Sequence, residues 1–143
     1  MIEISQNNIA LETALLQIFA CELPLRFADM DADGHVNNVQ FYRYMEEARM
    51  RWVHSLGLAM TPPAPVPVLA ASACSFRAPL LYPGTVTVEI YLGTMGRSSL
   101  RTHYLLRSGG TIAAEGYAVS VWVDAQTQKS IPLPDAVRRL AAR

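Results

Sequence analysis

Residues 29–38 hold the densest group of side chains in this sequence that could take part in chemistry. The stretch contains three carboxylates, one histidine and two asparagines, namely Asp29, Asp31, Asp33, His35, Asn37 and Asn38. An apolar-periodic segment follows at once, so the stretch is predicted to be a loop leading into the N-terminus of a helix. The first N–H groups of a helix have no intrahelical partner, and they can stabilise a developing oxyanion. A carboxylate beside them can attack an acyl carbon or activate a water molecule. The pattern therefore predicts an acyl-transfer or hydrolysis site with neither a metal nor a Ser/His/Asp triad.

The same residues also permit simpler interpretations. Asp and Asn before a helix are ordinary caps, and Asp-Gly is an ordinary turn. Asp29, Asp31, Asp33 and Gly34 are spaced like the start of a calcium-binding EF-hand loop. However, its twelfth position falls on Gln40 instead of a bidentate Glu, and no helix precedes it. Spacing alone does not choose among the three carboxylates.

The elements that must position this loop begin with one long helix, predicted over residues 38–56. Its apolar stripe lies at i, i+4, i+7 and i+11, at Phe41, Met45, Ala48 and Trp52. Arg43 and Glu47 are spaced to pair on the solvent side, and Gly57 is placed to end the helix. Before the loop, residues 8–20 predict a short amphipathic helix, and residues 21–28 predict a first strand.

The second half of the chain predicts four successive strands. A proline-rich connection over residues 61–67 precedes segments rich in β-branched and aromatic residues at 68–77, 85–92, 100–107 and 111–124. Turn residues separate these strands, Gly109-Gly110 predicts a tight hairpin, and the strands are expected to form a meander. Gly116 suggests a bulge or a bend. Residues 134–142 predict a short closing helix.

This order of elements predicts an α+β domain with a curved antiparallel sheet of about five strands wrapped round one central helix. Residues 1–19 are expected to form an N-terminal helical extension, and residues 20–143 a single domain. Twelve basic residues balance twelve acidic ones. No overall field therefore favours a nucleic-acid partner. Cys21 and Cys74 are expected to be free, buried thiols.

No metal or cofactor is expected, because the three histidines and two cysteines show no ligand spacing. A signal peptide is not expected either, because Glu3 and Glu12 stand where a cationic start would be needed. The chain has no apolar run long enough for a membrane span. A soluble, cytoplasmic protein is the expectation.

Residues 26–38, followed by 41–49, resemble the hot-dog-fold acyl-CoA thioesterases of the 4-hydroxybenzoyl-CoA thioesterase type. The closest match is to the branch with a D-x-x-x-H-V-N-N motif before the central helix, which spans residues 31–38 here. Residues 76–85 look like that family's second strand and turn, and residues 96–99 look like the start of its fourth strand. The resemblance covers residues 20–130 and implies a hot-dog fold.

The resemblance also implies roles for individual residues. Asp31 matches the catalytic carboxylate, and Asn38 matches the head of the helix, where a backbone N–H polarises the thioester carbonyl. His35 and Asn37 are implied to shape the loop and border the substrate, which Tyr42 also contacts. The remaining implied substrate-binding residues, Arg97, Ser98 and Ser99, would meet the phosphate or pantetheine of CoA. A sister family uses a helical Glu, so Glu46 or Glu47 is the alternative carboxylate. Asp29 and Asp33 are left as turn and surface residues.

The expected function is therefore that of an acyl-CoA thioesterase, which hydrolyses a CoA thioester to free acid and CoA without a metal. Chains of this family pair edge to edge into dimers that often form tetramers, so a homodimer or homotetramer is expected, with the active site between subunits. A non-catalytic acyl-thioester-binding protein is the main alternative. A hot-dog dehydratase is a further one, although His35 lies in the wrong element for it. Acyl length, CoA against carrier protein, and direct attack against water activation stay open.

Overall fold

A computed structural model describes residues 15–142 of the chain. Five strands and one long helix form its framework: β1 (Gln17–Pro24), α1 (Asn38–Ser55), β2 (Val66–Phe76), β3 (Thr85–Met95), β4 (Ser99–Ser108) and β5 (Thr111–Val123). A 3-10 turn at Phe27–Asp29 precedes the polar loop. The described part ends with a short helix, α2 (Asp135–Arg138), and a 3-10 turn, Arg139–Ala142. The short closing helix predicted from the sequence is thus confirmed, and its Val137 and Leu140 are buried.

The strands form one antiparallel sheet in the order β1-β3-β4-β5-β2. β3, β4 and β5 form a meander, and the hairpin predicted at Gly109-Gly110 is present, with positive φ at both glycines. The prediction that β2 belongs to the same meander is wrong, because β2 crosses to the far edge and pairs with β5. An edge position suits β2, because Pro67 has no N–H for a second neighbouring strand.

The helix α1 lies against the concave face of the sheet, where it contacts both edge strands as well as β3. Its predicted stripe of Phe41, Met45, Ala48 and Trp52 is fully buried. Gly57 adopts a φ of 78° just after the helix, as a terminating glycine does. The predicted pair of Arg43 with Glu47 is wrong. Arg43 lies 3.5 Å from Glu46, and Glu47 lies 3.6 Å from Arg51.

Gly116 of β5 marks a close approach to α1 and is not a bulge. The pairing of β5 with both of its neighbours runs through Gly116 without a register shift. A Cβ atom at this position would lie 2.6 Å from the Ala73 carbonyl oxygen and 2.9 Å from the Met45 Cε. The absence of a side chain therefore lets α1 settle onto the sheet.

The N-terminal helix prediction is wrong for residues 17–20, because they belong to β1. Their backbone pairs with β3, with Phe19 opposite Ile90 and Cys21 opposite Val88. These inter-strand hydrogen bonds outweigh a helical apolar pattern that has few residues to sustain it. Residues 15 and 16 are not helical either, and the rest of that prediction, over residues 8–14, lies outside the described residues.

Two other expectations concern the described residues directly. Cys21 and Cys74 are both free thiols; Cys74 is buried, whereas Cys21 is half-buried. No helix within residues 15–142 is both long enough and apolar enough to cross a membrane.

Candidate active site

The polar loop folds back on itself before α1 begins. The Asp31 N–H donates to the His35 carbonyl at 2.9 Å, and the Gly34 N–H donates to the Asp31 carbonyl at 3.2 Å. Gly34 has a φ of 86°, which is the conformation this tight turn requires. The Val36 N–H donates to the Leu80 carbonyl at 2.9 Å, which ties the loop to the segment that follows β2.

Asn37 caps α1 and leaves one N–H at the helix start open. Its Oδ1 accepts the Val39 N–H at 2.9 Å, and its carbonyl accepts the Gln40 N–H at 2.9 Å. Within residues 15–142, the Asn38 N–H has no hydrogen-bond partner, and the first turn of α1 carries no acidic side chain. The positive end of the helix is therefore available to a negatively charged oxygen.

The Asp31 carboxylate is half-buried and held by two neighbours in the loop. One oxygen accepts the Asp33 N–H at 2.9 Å, and the other lies 3.5 Å from the Asn37 Nδ2. The second contact is too long to satisfy that oxygen fully. Because Asn37 both caps α1 and touches Asp31, it fixes the carboxylate relative to the helix start.

Asp31 and Asn38 lie on the same groove, of about 490 Å³. The groove is lined by Asp31, Asp33, His35, Val36, Asn38, Phe41, Phe76, Arg77, Ala78 and Pro79. Its apolar side is aromatic, because the rings of Phe41 and Phe76 meet edge to face at 5.1 Å. Tyr42 stands beside them, 6.4 Å from the ring of Phe76, and is 37% exposed. A carboxylate, an open N–H and an aromatic wall therefore share one solvent-accessible space.

An ion pair that the sequence interpretation missed borders this groove. Arg77 Nη2 lies 2.7 Å from an oxygen of Glu115, whose side chain is completely buried. Neither Glu115 oxygen has a well-oriented hydrogen bond, so the contact is mainly a charge interaction. Burial, followed by the Glu115 charge, raises the pKa of the Cys74 thiol to about 12. The sequence did contain a signal for this ion pair: Glu115 is a lone carboxylate within an apolar strand, and a buried carboxylate requires a nearby cation.

Asp29 is not a surface residue, as the sequence suggested, but a buried one with 2% exposure. The Tyr44 hydroxyl donates to its carboxylate at 2.8 Å, and Arg26 lies 3.3 Å away. Burial, followed by this hydrogen bond, raises the pKa of Tyr44 above its usual range. Because Asp29 is engaged here, it does not face Asp31 and Asp33 as an EF-hand ligand would.

A different trio could hold a divalent cation. The ligand atoms of Asp31, Asp33 and His35 lie within 4.8 Å of one another. Asp33 is exposed, and the His35 Nδ1 lies 3.4 Å from the Val36 carbonyl oxygen. Exposed acidic groups commonly gather at such turns without a metal, so this trio alone does not indicate a metal site.

The remaining predicted site residues are not brought to the groove within one chain. Arg97 and Ser98 lie in the β3–β4 turn, and Ser99 begins β4, where it pairs with Val121 near the end of β5. Phe76 pairs with Ala114 near the start of β5, so the groove is at the opposite end of the sheet. The helical carboxylates Glu46 and Glu47 line a separate concavity on the exposed face of α1.

A single long helix against a five-stranded antiparallel sheet, with a polar loop at its start, is the hot-dog arrangement. The chain belongs to the thioesterase-like superfamily, whose profile matches residues 25–140. The PA2801 protein of Pseudomonas aeruginosa, a candidate thioesterase, has a similar structure with a TM-score of 0.85 and 35% identity. That match covers 88% of this chain and 99% of PA2801.

Curated relatives are more distant. The uncharacterized protein YsmA of Bacillus subtilis is 26% identical over 82% of this chain and 80% of its own length. A 1,4-dihydroxy-2-naphthoyl-CoA hydrolase of Prochlorococcus marinus is 25% identical, over 80% of this chain and 83% of its own length.

Proposed function

We propose that this protein is an acyl-CoA thioesterase that hydrolyses a CoA thioester to a free acid and CoA. The observation that carries the proposal is the groove in which the Asp31 carboxylate and the open Asn38 N–H lie together. The superfamily membership and the CoA hydrolase among the relatives support the same reaction.

In this mechanism the thioester carbonyl oxygen accepts the Asn38 N–H at the positive end of α1. Negative charge that develops on that oxygen is stabilised there, in a position fixed before the substrate arrives. Asp31 either attacks the carbonyl carbon or removes a proton from an attacking water. In both routes the C–S bond breaks, the CoA thiolate leaves and is protonated, and water supplies the hydroxyl of the product acid. Asn37 is a positioning residue, because it holds Asp31 and caps α1.

We further propose an aromatic acyl group as the substrate, in keeping with the resemblance to the 4-hydroxybenzoyl-CoA thioesterase type. Phe76, which is 44% exposed, presents its ring in the groove, backed by the buried ring of Phe41 and flanked by Tyr42. Aromatic pairs of this kind add about 0.5–1.5 kcal/mol beyond area burial. His35 and Asn37 would then border the acyl group at the thioester end.

We also propose that the protein is a dimer formed through β2. This edge strand has eleven residues without a single charged side chain, and its Val68 and Leu69 are 44% and 48% exposed. Uncharged exposed edges of this length favour pairing with another strand. Antiparallel pairing of two β2 strands would bring the partner's β3–β4 turn to the groove end of this chain. Arg97, Ser98 and Ser99 of the partner subunit could then contact the CoA part of the substrate.

The experiment that tests the function compares Asp31→Asn with Asp33→Asn in a thiol-release assay with benzoyl-CoA and hexanoyl-CoA. We expect Asp31→Asn to lower kcat by about 10³-fold or more while preserving the fold and oligomeric state. Asp33→Asn should retain most activity, and treatment with EDTA should change neither enzyme. Near-normal turnover by Asp31→Asn would remove Asp31 from the mechanism. Saturable binding of acyl-CoA without thiol release from the wild type would favour the non-catalytic alternative.

A further inference from the structure

The helix α1 carries a buried arginine that has no counter-charge within the described part of the chain. Arg49 is 5% exposed, and its Nη1 donates to the Tyr104 hydroxyl at 3.3 Å. That hydroxyl is in turn 2.6 Å from the Thr102 Oγ1. No carboxylate of residues 15–142 lies within ion-pair distance of Arg49. A guanidinium this deeply buried is costly unless an anion compensates it.

The charges around Arg49 show that the excess of positive charge is local to this residue. A concavity of about 590 Å³ runs along the exposed face of α1 and includes four arginines and three carboxylates. Each of the other arginines has its own carboxylate: Arg26 with Asp29, Arg43 with Glu46, and Arg51 with Glu47. Arg49 is therefore the one arginine of this concavity that has no acidic partner among residues 15–142.

The concavity that holds Arg49 reaches both edge strands of the sheet, β1 through Leu23 and Pro24 and β2 on the other side. Pro67 and Leu69 of β2 line it, together with the buried Ser120. The β2 edge is the one through which a second copy is proposed to pair, so the missing anion is expected from that copy. The inference thus rests on the dimer in the proposed function.

One acid on the same surface of α1 is suited to the role. Glu46 lies three residues before Arg49, and both line the concavity. Its present partner Arg43 is 3.5 Å away, and the two side chains are 51% and 71% exposed. An exposed pair of this kind contributes little, so exchanging it costs little. Glu47 is instead paired with Arg51, one helical turn further along.

Two-fold symmetry then makes any such contact reciprocal. In a symmetric dimer the same surface patch meets itself, so contacts occur reciprocally. If two α1 helices run antiparallel and the axis passes between residues 46 and 49, Glu46 of one copy faces Arg49 of the other, and Arg49 of the first faces Glu46 of the second. We infer that Glu46 of the partner subunit is the counter-ion of Arg49, and that two reciprocal Glu46–Arg49 pairs join the dimer.

The decisive test mixes two charge-reversed variants, Glu46→Arg and Arg49→Glu, one of which carries a mass tag. Each homodimer would contain two like-charge contacts, whereas the heterodimer would contain two opposite-charge contacts. After the variants are mixed and exchanged, native mass spectrometry should find heterodimers well above the statistical half. A pair formed within one chain predicts no such preference, because mixing does not change intrachain contacts.

The matched control uses Glu47→Arg and Arg51→Glu, an ion pair from the same helix that already forms within one chain. Their mixture should give the statistical half. A statistical mixture from the Glu46 and Arg49 variants would overturn the inference while leaving the dimer proposal intact. A wild-type protein that is monomeric at micromolar concentration would overturn both.

A second measurement covers the case in which Arg49→Glu does not fold. Glu46→Gln, Arg49→Met and the double variant keep side-chain volume and avoid a buried negative charge. We expect each single variant to raise the dimer dissociation constant about 10- to 100-fold. The double variant should cost no more than either single one. Additive effects, or an unchanged dissociation constant for Glu46→Gln, would refute the pairing.

Discussion

The Tyr44 hydroxyl donates a 2.8 Å hydrogen bond to the buried carboxylate of Asp29, fifteen residues earlier in the chain. This bond joins the polar loop to the side of α1, and the Asp29 carbonyl in turn accepts the Asn37 N–H at 2.9 Å. Of the two carboxylates, Asp29 therefore holds the loop in place, while Asp31 is left facing the groove.

Removing the Tyr44 hydroxyl should destabilise the domain. In Tyr44→Phe, the Asp29 carboxylate would keep, among residues 15–142, the contacts of Arg26, whose side chain is 73% exposed. We expect a loss of about 1–3 kcal/mol in the free energy of unfolding, measured by urea denaturation. Tyr42→Phe, on the exposed side of the same helix, is the matched control and should change stability by less than about 0.5 kcal/mol. Equal stability of the two variants would show that the buried bond contributes nothing.

Substitutions at Asn37 should separate its two contacts. Asn37→Ala removes the helix cap and the contact with Asp31, and should cost about 0.5–2 kcal/mol of stability as well as activity. Asn37→Asp keeps a capping oxygen but places a second carboxylate beside Asp31. The stability of Asn37→Asp should therefore approach that of the wild type. The acid limb of its kcat/KM–pH profile should move to higher pH, because like charges oppose ionisation. An unshifted profile would argue against the positioning role.

A methyl group at Gly116 should disturb the contact between α1 and the sheet. The added Cβ of Gly116→Ala would lie 2.6 Å from a backbone oxygen, which cannot rotate away. We expect destabilisation of about 1–3 kcal/mol from this overpacking, read out as a lower Tm. Combining it with Met45→Ala should not restore the Tm, because the clash with the Ala73 oxygen persists. A wild-type Tm for Gly116→Ala would mean that the strand relaxes freely.

The two thiols should differ in reactivity and in its pH dependence. Burial, followed by the Glu115 charge, raises the pKa of Cys74 to about 12, so the reactive thiolate is scarce at neutral pH. Burial also raises the pKa of Cys21, which is only half-buried. Iodoacetamide should label Cys21 before Cys74, as read by peptide mass spectrometry. Labelling of Cys74 should still increase above pH 10, where an ordinary cysteine has reached its plateau. Because the folded state holds the proton more tightly, Cys74 should lower stability as pH rises above the unfolded value near 9 toward 12.

Local signals in the sequence were sufficient to predict α1, the β4–β5 hairpin and the loop at the helix start. They failed where a distant partner decides the structure. Residues 17–20 have a helical apolar pattern, but pairing with β3 makes them a strand. Asp29 is of a residue type common in turns, but its side chain is buried, where it accepts a hydrogen bond from Tyr44. One of the two rings on the aromatic side of the groove belongs to Phe76, which is distant from Asp31 in the sequence and which no local pattern places there.

The crossover position of β2 has a consequence for how the groove is assembled. β3, β4 and β5 join through short turns, so their pairing closes short loops. β2 must instead find β5 across the whole intervening meander, which costs more chain entropy and slows folding. Phe76 ends β2, Arg77 and Pro79 follow it, and the three residues form one side of the groove. The chain is therefore expected to form the β3–β4–β5 meander first and its substrate-binding surface later, so that a partly folded intermediate would already protect the amides of β4 while still lacking turnover.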